Sequence, residues 1–164
     1  MYVPFDTLPE TARIWIYQAN RPLTEAEISA LQPVMHGFAD DWTSHGRALA
    51  ASAEVLHQQF LVIGLDEAVA DASGCSIDAS VRFVRDVEQQ LGVSLLEKSQ
   101  MAFLLAGRVQ LLSRQQIRAA VDAGQLTPDT PYFDATVARK QVLATAFPAP
   151  AGQTWLARYF APAG

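Results

Sequence analysis

The chain has one cysteine, Cys75, among 164 residues. A single thiol excludes an intrachain disulfide and a thiolate zinc cluster. Charge is sparse too, at 18% of residues, and it leans acidic: 12 basic against 17 acidic side chains, a net charge of −5. No Lys/Arg cluster offsets that sign locally. A phosphate backbone would be repelled, so no nucleic acid partner is expected. No uninterrupted apolar run approaches bilayer-spanning length, and the opening Met-Tyr-Val-Pro-Phe-Asp lacks the basic stretch and apolar run of a signal peptide. No membrane partner is expected, and the expected location is cytoplasmic. Internal repeats and long linkers are also missing; low complexity is confined to Pro148–Gly152.

What is present is half hydrophobic, enough apolar material for one domain with a real core. Ala12 to Ala19 reads as a strand, with Ile14, Trp15, Ile16 and Tyr17 in succession. Thr24 and Glu27 spell a capping box, and Ile28, Leu31, Met35, Phe38 and Trp42 recur at helical spacing behind it. Pro33 lies off that stripe and is expected to kink the helix or shift its start. Residues 48 to 56 and 59 to 65 read as a hairpin, the second strand buried on both faces, with a glycine-free turn near His57. A second helix follows from about Ser76, with Ile77, Val81, Val84 and Leu91 on its apolar face and Gly92 as its stop. Met101 to Leu105, then Gly107 and Arg108 to Leu112, read as a further strand and hairpin. Ser113 caps a short helix that stops at Gly124, residues 134 to 145 read as helix, and Trp155, Leu156, Tyr159 and Phe160 form a last apolar patch.

The order strand, helix, strand, strand, helix, strand predicts an α+β fold, a ferredoxin-like split βαβ antiparallel sheet with a C-terminal helical extension. The whole chain is expected to be a single domain, with residues 1–112 as sandwich core, 113–164 as extension and the first strand central. That topology puts the 42–46 loop and the 66–76 loop at one end of the sheet. The expected ligand site is therefore Trp42, His45, Asp66, Ser73, Gly74, Cys75 and Ser76.

Two chemistries compete there. The amides opening the second helix, with its dipole, suit the carboxylate or phosphate of a small anionic ligand. The same position favours a thiolate, which would make Cys75 a nucleophile, His45 its base, and Asp66 or Asp78 the group orienting the imidazole. Against both stands a plain helix start: a serine N-cap, Asp78 complementing the dipole and Cys75 as a small buried apolar residue. Asp40, Asp41, His45 and His57 match no metal-ligand spacing, so no metal site is assigned and no cofactor is expected. Gly92 to Ser99 nearly spells a phosphate-binding loop. Glu97 replaces its second glycine, and it follows a helix instead of a strand, which argues against ATP hydrolysis.

At Trp15–Arg21, Trp42–Gly46 and Gly74–Ser80 the chain resembles a family of short uncharacterised bacterial proteins. The resemblance runs nearly end to end and includes Trp155, Arg158, Tyr159 and Phe160. Members often carry the label "ABC transporter ATPase". This sequence gives that label no support: it has no working phosphate loop and no LSGGQ-type signature, and it is too short for a nucleotide-binding domain. The resemblance implies no substrate and no catalytic residue. Three readings stay open: a non-catalytic small-ligand binding or regulatory domain, a cysteine-dependent enzyme using Cys75 with His45, and an assembly protein forming a homodimer through its sheet or its C-terminal aromatics.

Overall fold

β-Branched and aromatic residues make Arg13–Gln18 the first strand, β1, in the computed structural model, which describes residues 1–162. Thr24 caps α1 (Glu25–Asp41) through a complete capping box with Glu27. Pro33 sits inside this helix without ending it. A miniature hairpin follows, β2 (Thr43–Ser44) and β3 (Arg47–Ala48), turned by His45 and Gly46. Both turn residues have positive φ, 51° and 78°, the requirement of a two-residue type I′ turn. Next come β4 (Ala51–Leu56) and β5 (Phe60–Leu65), paired antiparallel. Their turn uses His57 and Gln58, both at positive φ, where no glycine is present. Finally α2 (Gly74–Leu91) runs from the N-cap Ser73 to Gly92 in the left-handed conformation.

These elements belong to the first of two units, residues 1–96 with 136–141. Its sheet has the order β1-β5-β4, antiparallel throughout. Both outer edges are partly covered. At β4, Val3 N–H donates to Ala51 C=O and Ala51 N–H to Met1 C=O. At β1, Ile14 N–H donates to Ala138 C=O and Lys140 N–H to Ala12 C=O. Residues 134 to 145 are therefore not one helix: 136–141 return as an edge partner of β1, and only Leu143–Ala146 is α-helical. The core packs Leu31, Met35 and Ala39 of α1 and Val84 and Val87 of α2 with Leu61, Ile63 and Leu65 of β5. Gly64 keeps β5 open to the N-terminal turn, since a Cβ there would come within 2.5 Å of Leu8 Cδ1.

The second unit, residues 97–135 with 142–162, has its own sheet of β6 (Met101–Leu105), β7 (Arg108–Leu112), β8 (Pro131–Phe133) and β9 (Ala149–Pro150), in the order β7-β6-β8-β9. Between strands lie α3 (Arg114–Asp122), capped by Ser113 with Gln116, and the one-turn α4 (Leu143–Ala146). Phe103, Ile117, Leu126, Tyr132 and Leu156 form its core. The first stretch of the first unit ends at Leu96, and the strand expected beside β1 keeps its hairpin with β7 and takes β8 as its other neighbour. Among the described residues no helix is long and apolar enough to cross a membrane.

Candidate functional site

Two hydrogen bonds lock the start of α2 to the small hairpin. Trp42 is buried, and its indole Nε1–H donates to Ser76 C=O at 2.8 Å. Ser76, also buried, donates its hydroxyl to Thr43 C=O at 2.7 Å. Ser76 and the N-cap Ser73 close a reciprocal box as well, each backbone N–H donating to the other's Oγ at 3.2 Å. Serine replaces the usual Glu or Gln at the third helical position, because here the side chain must also reach Thr43.

Beside this junction lies a cleft of about 490 Å3, open to solvent, within the size range of small-molecule sites. The hairpin supplies Trp42, Thr43 and His45; α2 supplies Cys75, Ser76, Ala79 and Arg82, preceded by Ser73; α1 supplies Phe38 and Asp41. The aromatic wall is rigid. Phe38 stacks on Phe83 at 4.3 Å and tilts against Trp42 at 5.2 Å, while Trp15 meets Trp42 edge-on at 5.9 Å. On the sheet side, burial raises the pKa of Tyr17, an effect reduced by a hydrogen bond with Ser80 of α2.

Of the expected residues, Trp42, His45, Ser73, Cys75 and Ser76 line this one cleft. Gly74 is exposed at the first helical position next to it. Asp66 is not part of the lining: its N–H donates to Ala50 C=O and its carboxylate accepts from Ala68 N–H, closing its own turn. Asp78 is exposed on α2 and is also outside the lining. Cys75 is exposed, not packed as a buried apolar residue.

Arg82, Ala79, Asp41 and Phe38 were missed by the sequence reading. Helical spacing carried the signal, since Cys75, Ala79 and Arg82 stand at i, i+4 and i+7 on one face of α2, and Phe38, Asp41 and Trp42 share a face at the end of α1. Arg82 has no ion-pair partner among the described residues.

Chemically, the cleft offers a cation, an imidazole, an exposed thiol and a helix start, with the Asp41 carboxylate at its α1 side. Gly74 and Cys75, as the first two helical residues, have N–H groups with no intrahelical acceptor. Asp40, the neighbour of Asp41, lies outside the lining and accepts Tyr2 N–H at 3.1 Å, next to the Met1 ammonium, which donates to the carbonyls of Ala39, Asp40 and Leu49. In the near phosphate loop, carboxylates already occupy the amides. Glu88 accepts from Leu95 and Leu96 N–H, and Glu97 accepts from Ser99 N–H; the Ser99 hydroxyl first, then this N–H, holds Glu97 below its ordinary range. Comparison with known proteins finds no matching family model, no matching curated sequence and no matching solved structure.

Proposed function

We propose that this chain is a non-catalytic binding or regulatory domain for a small anionic ligand, seated in the cleft between the 42–46 hairpin and the first turns of α2. The observation that carries this reading is Arg82, a guanidinium with no ion-pair partner among the described residues, on the same cleft as Cys75 and Ser76 in the opening turn of α2. A carboxylate or phosphate there would receive charge-assisted hydrogen bonds from both, with His45 nearby and an apolar aromatic wall behind. The first unit is read in the same spirit as a ferredoxin-like arrangement. The order β1-β5-β4 supports that, with residues 136–141 taking the place of the fourth strand. The test is a titration of the full chain with inorganic phosphate, citrate and glutamate, followed by amide chemical shifts. At least one ligand should move the Gly74 and Cys75 resonances, and Arg82→Ala should weaken it at least tenfold. Unmoved resonances at millimolar concentrations of all three would end the proposal.

A second reading has its own observation: Cys75 is exposed on the cleft that His45 also lines. This supports a cysteine-dependent enzyme in which His45 takes the thiol proton. Iodoacetamide should then label the folded chain below pH 7, more slowly in His45→Ala. Labelling with the pH dependence of a free thiol, indifferent to His45, would remove this reading.

A further inference from the structure

The second unit presents an aromatic and arginine cluster that its fold leaves outside. Residues 155–159 form a 3-10 helix, anchored by Leu156, which is fully buried in the core of the second unit. In that helix residues three apart eclipse, so Trp155 and Arg158 share an edge away from Leu156. Trp155 is 41% exposed, a large fraction for an indole. Its Nε1–H donates to the Tyr132 hydroxyl at 3.1 Å, which fixes the ring and uses its only donor. Arg158 lies over the Trp155 and Tyr159 rings, 5.4 Å from each centroid, and Arg118 of α3 lies over Tyr159 at 5.6 Å. Neither arginine has a carboxylate within ion-pair distance among the described residues, and both are exposed.

A cation–π contact of this kind uses the guanidinium charge and leaves N–H donors for bidentate recognition of a carboxylate. Two such groups beside a fixed, exposed indole match the residue types that dominate protein–protein hot spots. Charge selects the occupant. The first unit carries seven basic and thirteen acidic side chains, whereas the second carries five and four. Only in the second unit are cations not outnumbered, so an acidic partner is favoured there over the first unit, while a nucleic acid needs a longer row of cations than two arginines provide.

We infer that the face formed by Arg118, Trp155, Arg158 and Tyr159 is a docking surface for an acidic segment of a partner protein, its carboxylates on the guanidiniums and an apolar side chain on Trp155. The test pans a random dodecapeptide library on phage against the immobilised full chain, then measures the selected peptides in solution. Selected sequences should be at least twofold enriched in Asp and Glu around an apolar residue. They should bind at least tenfold more weakly to the Arg118→Ala/Arg158→Ala variant and weaken as salt rises. Arg118→Lys/Arg158→Lys, which keeps charge but loses the planar fork of donors, should also weaken binding. If the double alanine variant does not fold, Trp155→Phe with Arg158→Glu carries the same comparison. Four results would overturn the inference: no selected peptide, peptides without acidic residues, tighter binding of a dodecameric oligouridylate, or self-association of the chain through this face that the arginine variant abolishes.

Discussion

Two glycines show how the neighbour, not the space alone, decides what a methyl group costs. At Gly152 an added Cβ would meet Pro128 at 2.7 Å and its backbone at 3.1 Å, and Gly152 N–H donates to Pro128 C=O at 2.8 Å. Neither ring nor backbone can turn away, so Gly152→Ala should cost about 2–3 kcal/mol, the upper range of overpacking. At Gly64 the closest atom is a terminal methyl of Leu8. A rotamer change can relieve that contact, and Gly64→Ala should cost about 1 kcal/mol, the lower range. Urea unfolding of both variants checks the order, and equal losses would show that Leu8 is as immobile as Pro128. Ser76 makes a different point. Removing its hydroxyl takes away the bond to Thr43 C=O and half of the capping box, so Ser76→Ala should lose about 1–2 kcal/mol. Faster amide exchange in residues 43–48 would place that loss at the hairpin, and unchanged exchange there would refute the locking role.

Among the elements, α1 has the most explicit electrostatic start. Glu27 accepts from Thr24 N–H and takes both Nη groups of Arg21, each at 2.9 Å, while Arg21 also donates to Leu91 C=O at the end of α2. Arg21 in the first place, then the Thr24 amide, lowers the Glu27 pKa from 4.5 to about 2. A carboxyl depressed on folding contributes stability that is complete above its unfolded value and lost as pH falls through its folded one. Glu27→Gln should therefore lower the unfolding temperature at pH 7, and the gap from wild type should close between pH 4.5 and pH 2. A gap that persists at pH 2 would assign the loss to the side chain's shape and not its charge. Such helix starts were legible in the sequence because a cap is a local transaction, as at Thr24 and Ser113. Sheet membership is not local. Met101–Leu105 reads as one arm of a hairpin with Arg108–Leu112, which the structure has, but nothing in those residues says that β8, not β1, is its other neighbour. Residues 136–141 carry helix-compatible residues yet serve as an edge, since Val137 is buried and Arg139 bonds Glu67 at 2.6 Å. In the cleft, the hairpin and the Cys75 turn were visible as neighbours from strand and helix order alone. Arg82 was missed because its role depends on which face of α2 borders the hairpin.

For the whole molecule, the two units are interleaved along the chain, and residues 136–141 belong to the first although sequence on both sides belongs to the second. Lys140 secures that return. Its side chain is 11% exposed, and its ammonium donates to Leu8 C=O at 2.7 Å and Asp6 C=O at 3.1 Å. Lys140→Ala should cost about 1.5–3 kcal/mol, the range of hydrogen bonds to a charged group. It should also raise amide exchange at Ile14, whose N–H depends on Ala138 C=O. Normal protection at Ile14 in this variant would mean that the segment holds without its lysine.

The same return segment sets an order of events when the chain is made. A ribosome delivers residues 1 to 96 well before residue 141, so the outer edge of β1 emerges without the segment that covers it. An uncovered edge offers unpaired backbone groups to any other strand nearby. Between those two moments the nascent first unit is at its most adhesive, and the interval lasts several seconds at roughly 5–20 residues per second.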